Sequence, residues 1–156
     1  MAVYFQSRAS TADVDGIFAP APETRRWAQT VADELELPSD WLNDGAKGYL
    51  TGESEGPVLH RSAGIVVQTV AFAHLLALKL MAWRDDVDVS DALRILQALK
   101  EQPGADCSSL EKLSELVEPY LVPPQRMKAS YALEELWEIH DHPGANRGSD
   151  PGEEPA

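Results

Sequence analysis

Two aspartates, Asp13 and Asp15, lie one residue apart in the run STADVDGIF near the start of the chain. Successive side chains of a β-strand point to opposite faces, so in a strand both carboxylates would project from one face. Hard oxygen ligands at this spacing suit Mg²⁺, which proteins hold with one or two carboxylates together with the phosphates of a substrate. The alternative is a solvated edge or turn, and the Asp-Val-Asp tripeptide taken alone favours it.

The composition is that of an acidic chain long enough for one domain with a core. Of 156 residues, 44% are hydrophobic, and 13 Lys and Arg against 26 Asp and Glu leave a formal charge of −13. This length predicts a single domain over residues 1–140. The negative charge repels nucleic-acid phosphates, so we expect no DNA partner, and an RNA substrate would need a local basic groove. Residues 141–156 are rich in Gly, Pro, Asp and Glu and are predicted to form a disordered acidic tail.

Cysteine usage and hydropathy indicate the compartment. Cys107 is the one cysteine, so it has no disulfide partner within the chain, and it lacks the neighbouring Cys and His residues of a zinc site. The most apolar run, residues 71–83, is too short to span a bilayer and contains Lys79. The N-terminus has no basic segment followed by an apolar core. These features predict a cytoplasmic protein with no membrane partner.

The elements that must position the aspartates begin with a strand around Asp13 to Asp15. A helix is predicted from Glu23, and its large apolar residues recur at four-residue spacing and are expected to pack on the sheet: Trp27, Val31 and Leu35. Pro38 and Ser39 are predicted to open a second, short helical stretch. Its large apolar groups are expected in the core: Trp41, Leu42 and Tyr49.

The rest of the chain is predicted to form a hairpin and four helices. Two β-branched runs in residues 58–70 indicate strands that meet near Ser62 to Gly64. Apolar residues on almost every side predict a buried central helix over 71–83, and further helices are predicted over 86–100, 108–121 and 125–140. This order predicts an α+β fold, with helices on one side of a small mixed sheet and a helical C-terminal half.

Several residues are expected to begin or pack these helices. Asp88 or Ser90 is the predicted N-cap of the helix over 86–100, and Ser108 with Glu111 forms a predicted capping box. In the last helix, five large residues are available for packing: Met127, Tyr131, Leu133, Leu136 and Trp137.

One segment is distinctive enough to indicate a family. LELPSDWLNDGAKGYL (35–50) closely resembles the Trp-Leu-Asn-Asp block of the DUF6036 group of bacterial nucleotidyltransferases, which is related to the AbiEii type of abortive-infection toxins. The segment from Ser10 to Asp15 is similar to the Ser-Thr-x-Asp-x-Asp segment that carries the metal-binding pair in those proteins. LLALKLMAWRDDVDVSDALRIL (75–96) is similar to their Leu-Leu-Ala-x-Lys-Leu helix and the Asp-rich turn after it. The resemblance covers about residues 1–140.

The resemblance implies a polymerase-β-like fold and an Mg²⁺-dependent transfer of a nucleotide from an NTP. In that reaction an acceptor hydroxyl, on a protein or an RNA, attacks the α-phosphorus and pyrophosphate leaves. Asp13 and Asp15 would be the catalytic metal ligands, and six matched residues would contact the nucleotide: Ser10, Thr11, Asn43, Asp44, Lys47 and Lys79. Asp88 and Asp91 match the acidic positions that follow the lysine helix. A toxin-like protein of this group would have an antitoxin partner.

The chain departs from the family pattern in two places. It has no Gly-Gly or Gly-Ser turn before the Asp strand, where phosphate would approach the backbone at a helix N-terminus. We therefore expect that the printed start is internal or that the phosphate cradle has been lost. The predicted hairpin also contains no Asp or Glu, so the third carboxylate and an obvious base are not found there. A catalytically inactive relative that acts as a binding module is the alternative function.

Ordinary structural roles remain open for several matched residues. Lys79 can lay its stem across an apolar surface and reach solvent, and Asp88 can simply cap a helix. Asn43, Asp44 and Lys47 can equally make hydrogen bonds at a helix end. The sequence therefore leaves both an enzyme and a binding module open.

Overall fold

The computed structural model describes residues 13–52, 54–84 and 86–141. Within them the chain is α+β, with five α-helices and two separate two-stranded sheets. The single mixed sheet expected from the sequence is therefore wrong for the described part, because the two strand pairs do not join. Ser10, Thr11 and all of the predicted tail except Asp141 lie outside the described residues.

The N-terminal elements form a β-α-β unit. Strand β1 (Val14–Asp15) pairs in parallel with β2 (Leu42–Asn43), and helix α1 (Ala21–Leu35) connects them. Val14 N–H donates to Trp41 O at 2.6 Å, and Gly16 N–H donates to Asn43 O at 2.8 Å. The pairing confirms the strand at the aspartates. It also shows that the predicted second helical stretch is wrong at its start, where β2 lies instead, and right only over Gly45–Tyr49, which is a 3₁₀ helix.

Helix α1 begins two residues before the predicted start, with Pro20 at its N-cap and Pro22 in its first turn. Its one buried residue is Ala32, whereas Trp27 is 63% exposed and Leu35 is 65% exposed. The expectation that these large residues pack on the sheet is therefore wrong. A sheet of only two residues per strand is too short to cover their side of the helix.

The predicted hairpin is confirmed. Strand β3 (Val58–Arg61) pairs antiparallel with β4 (Val66–Gln68), and Ser62 N–H closes the turn on Ile65 O at 2.9 Å. Every residue of the two strands is exposed. At the base of the hairpin Gly56 lies so close to Val70 that a Cβ would meet the Val70 carbonyl carbon at 2.7 Å.

The core lies among the remaining helices, α2 (Phe72–Met81), α3 (Asp86–Lys100), α4 (Leu110–Val117) and α5 (Arg126–Asp141). Helix α2 is the central one, as predicted, and contacts the other three. The largest fully buried apolar side chains come from all four helices: Leu76, Leu80, Ile95, Leu96, Leu113, Val117 and Leu136. Burial of so many aliphatic groups is the main stabilising contribution to this part of the chain.

The structure corrects three details of the helical half. Helix α3 begins at Asp86, so neither Asp88 nor Ser90 is its N-cap. The N-cap of α4 is Ser109, which accepts from Lys112 N–H at 3.2 Å, while Ser108 binds Asp106 instead. The remaining correction concerns exposure, since Met127 and Tyr131 of α5 are exposed rather than packed. The same holds for Tyr49 in the N-terminal part. Among the described helices, none is long and apolar enough to cross a membrane.

Candidate functional site

Predicted site residues meet at the carboxyl end of the β1–β2 pair. Asp15 is the last residue of β1 and Asn43 is the last residue of β2, and parallel pairing brings these two ends to the same edge. A Cβ on Gly45 would lie 3.0 Å from Asn43 Oδ1 and 3.5 Å from Asp15 Oδ1, so both side chains border the same glycine. This edge of a parallel sheet is where α/β proteins bind ligands.

The chain after β2 turns around Asn43. The Asn43 Oδ1 atom accepts from Gly45 N–H at 2.9 Å, and the Gly45–Tyr49 3₁₀ helix follows. This hydrogen bond two residues along the chain is the local pattern that Asn side chains favour in turns. It fixes the direction of Asp44 and Lys47 relative to the strand end.

Asp44 joins two cations from different elements. Its Oδ2 atom accepts from Arg25 Nη2 at 2.6 Å and from Lys47 Nζ at 2.5 Å. The hydrogen bonds from Lys47 and then Arg25 hold the pKa of Asp44 below its usual value. Arg25 lies in the second turn of α1. The helix that connects β1 to β2 therefore also places a side chain near the carboxyl ends of these strands.

The aromatic ring of Phe18 lies close to the cationic groups of both Arg25 and Lys47. The Phe18 ring centroid is 5.8 Å from Arg25 Cζ and 5.7 Å from Lys47 Nζ. Cations within about 6 Å of a ring centroid are attracted to its face. Phe18 and Asp44 therefore hold Arg25 and Lys47 near one another at the edge that carries Asp15.

Lys79 belongs to a second polar cluster, between α2 and α3. Its Nζ atom donates to Asp88 Oδ1 at 3.2 Å and to Asp91 Oδ2 at 3.0 Å, and Arg84 Nε donates to Asp88 Oδ2 at 3.1 Å. The side chains of Asp88 and Asp91 are only 1% and 4% exposed. Neither sequence interpretation of Lys79, as a phosphate ligand or as a group reaching solvent, included this pairing.

The second cluster is electrostatically compensated. Burial raises the pKa of Asp88, but the hydrogen bonds from Arg84 and Lys79 outweigh it and hold that pKa below its usual value. Hydrogen bonding to Asp88 raises the pKa of Arg84. Removal of one partner from a buried pair of this kind leaves a charge uncompensated, which is strongly destabilising. The contacts therefore give Lys79 a structural role in joining α2 to α3.

Asp13 and Asp15 could supply part of the oxygen ligands that a Mg²⁺ ion requires. Asp13 immediately precedes β1, and both residues are exposed at the surface. Within residues 13–52, 54–84 and 86–141, no three His, Cys, Asp or Glu side chains form a group that could hold a metal ion. Mg²⁺ often relies on one or two carboxylates and completes its shell with substrate phosphates and water. Two exposed carboxylates meet that minimum.

Sequence reasoning missed Arg25 and Phe18 as parts of this site. Arg25 has an exposed side chain in an amphipathic helix, and such a residue normally indicates a solvated face. Phe18 stands between a glycine and two prolines, where no periodic pattern exists. The available signal was the position of both residues in the segment that follows the carboxyl end of β1.

Comparisons with protein-family models, with curated proteins and with solved structures found no match. The family resemblance therefore stays a prediction from the quoted residues.

Proposed function

We propose that this chain is an Mg²⁺-dependent nucleotidyltransferase of the toxin or defence type. The observation that carries the proposal is the parallel pairing of β1 and β2. It brings Asp15, Asn43 and Asp44 to one edge, although the resemblance assigned them from two segments far apart in the chain.

The reaction would be the transfer of a nucleotidyl group to a hydroxyl of a protein or RNA. A bond forms between the acceptor oxygen and the α-phosphorus, the bond between that phosphorus and the pyrophosphate oxygen breaks, and the hydroxyl proton is released to solvent water. Asp13 and Asp15 would hold the ion, which would offset the charge of the phosphates. Asn43 and its turn would keep Asp44 and Lys47 beside them. Ser10 and Thr11 remain predicted nucleotide contacts from the resemblance alone. Lys79, also assigned by the resemblance, is instead paired with Asp88 and Asp91 and is left out of the proposed site.

The decisive experiment follows label from an α-labelled NTP to protein or RNA in the presence of Mg²⁺. We expect transfer by the wild type, loss of transfer on chelation, and a fall of at least about 100-fold in Asp15→Asn, since even outer-shell partners of a metal are worth 10- to 100-fold. Asp40→Asn is the matched control, because Asp40 is an exposed aspartate outside the cluster. No transfer by the wild type to any protein or RNA offered, or equal transfer by the two variants, would contradict the proposal.

A catalytically inactive binding module is the second candidate. It is favoured by the composition of β3 and β4, which contain no Asp or Glu to act as a third carboxylate or base. Such a module could bind an antitoxin or another protein partner. It predicts normal folding with no Mg²⁺-dependent nucleotide affinity, so tight Mg²⁺–NTP binding in calorimetry would exclude it.

A further inference from the structure

Arg25 and Lys47 converge on one oxygen in a chain of strongly negative net charge. Both of their nitrogens bind Asp44 Oδ2, at 2.6 Å and 2.5 Å, so the two cationic groups are neighbours. Two cations against one carboxylate leave an excess of positive charge within this group of three side chains, beside the carboxylate of Asp15 at the same strand end. The chain as a whole carries a formal charge of −13, so this excess is opposite in sign to its surroundings.

We propose that Arg25 and Lys47 form a clamp for the polyphosphate chain of a nucleotide, with Asp44 as the positioning residue that holds the clamp in shape. The proposal rests on the proposed function and names its phosphate-binding residues. It adds Arg25, which the resemblance did not assign.

The donor geometry suits phosphate oxygens. A guanidinium carries five N–H donors and an ammonium carries three, and the contact with Asp44 uses one nitrogen of each. The side chains are 57% and 44% exposed, so an incoming anion can reach the remaining donors. Arg recognises phosphate through paired donors, and Lys acts as a point charge on the same group.

Phe18 and Asp44 reduce the cost of ordering the clamp. Long charged side chains lose conformational entropy when they are fixed in one geometry. The ring centroid of Phe18 lies within 5.8 Å of both cationic groups, and Asp44 accepts hydrogen bonds from both. Part of the conformational entropy of the two side chains is therefore already lost before a ligand binds. Preorganisation of this kind increases affinity.

Calorimetry on the full chain tests the clamp, with inorganic tripolyphosphate, ATP and adenosine as probes. Tripolyphosphate is measured with Mg²⁺ and also with a chelator, which separates the clamp from the carboxylate pair. We expect binding of tripolyphosphate and ATP but not of adenosine. Arg25→Met and Lys47→Met should each weaken both by about tenfold or more, since a hydrogen bond to a charged group is lost.

The chain offers matched controls. Arg26 neighbours Arg25 and pairs with Glu23 at 3.6 Å, and Lys112 pairs with Glu115 with a side chain 46% exposed, close to that of Lys47. Arg26→Met and Lys112→Met should change tripolyphosphate affinity less than twofold. Circular dichroism melting of all four variants is expected to match the wild type, because all four side chains are exposed.

The outcomes separate this inference from the proposed function. Unchanged affinity in Arg25→Met and Lys47→Met overturns the clamp even if the wild type transfers label. Tripolyphosphate binding that is lost in those two variants supports the clamp even if no label is ever transferred. Failure of the wild type to bind tripolyphosphate at all overturns the clamp outright.

Discussion

His74 is the buried titratable residue of α2 that the candidate site does not use. It is fully buried, its ring stacks on Tyr120 with centroids 4.5 Å apart, and its Nδ1 lies 2.8 Å from Ser54 Oγ. Ser54 Oγ also accepts from Ala71 N–H at 3.2 Å. Burial lowers the pKa of His74 because it disfavours the charged imidazolium.

This lowered pKa predicts a loss of stability in mildly acidic solution. Below about pH 6.5 the unfolded chain takes up a proton at His74 that the native state resists, so the free energy of unfolding falls between about pH 7 and pH 5. The loss approaches about 1.4 kcal/mol for each unit by which the pKa is lowered. In His74→Phe this fall should be reduced, as measured by urea unfolding at pH 7, 6 and 5. His60→Gln, at an exposed hairpin position, should keep the wild-type slope. Equal slopes in both variants would contradict the assignment.

In helix α5, the neighbouring helices determine which apolar residues are buried. Its sequence offers several large residues for packing, yet Leu136 is fully buried and Met127 is 72% exposed. The helix meets α2, α3 and α4, which together cover only part of its surface. The position of those partners decides which of the available apolar residues stabilises the fold.

Two truncations in α5 separate these environments. Leu136→Ala should lower the free energy of unfolding by about 2–5 kcal/mol, because it removes buried methyl groups and leaves a cavity. Met127→Ala, in the same helix, should change it by less than about 0.5 kcal/mol. Chemical denaturation followed by circular dichroism provides the comparison. If both variants lost a similar free energy of unfolding, the difference in burial between Leu136 and Met127 would be contradicted.

The whole molecule combines two parts with unequal burial. Six of the ten residues of α2 are buried: Phe72, His74, Leu76, Ala77, Leu80 and Met81. Helix α1 is longer, at 15 residues, yet buries only Ala32. The proposed nucleotide site therefore lies on the less buried part, and regions with few buried contacts open more easily than the core.

Hydrogen exchange should reveal this difference. We expect amides of α1 to exchange at least about tenfold faster than those of α2, because opening α1 exposes little apolar surface. Mass spectrometry of peptides covering 21–35 and 72–81 measures both helices in one sample. If tripolyphosphate binds the clamp, it should slow exchange in the first peptide and leave the second unchanged. Equal protection of the two helices without a ligand would count against this division.

Sequence patterns predicted most elements because local periodicity is sufficient for them. The β-branched runs indicate the hairpin, and the apolar pattern indicates α2 to α5 with ends within two residues of those observed, except that α4 ends at Val117 rather than at residue 121. The Trp-Leu-Asn-Asp block favours a helical interpretation, because a strand of two residues, Leu42–Asn43, has no periodicity of its own. Its conformation depends on hydrogen bonds to β1, about thirty residues away along the chain.

The sequence by itself determined the acidic charge, the helical C-terminal half and the Asp13–Asp15 pair, since these follow from residue type and local spacing. Only the tertiary structure decided that Asp15 and Asn43 share an edge, that Arg25 and Lys47 meet on Asp44, and that Lys79 is paired with Asp88 and Asp91. Each of these contacts joins different elements. Their formation depends on how strands pair and helices pack, which local sequence patterns do not specify.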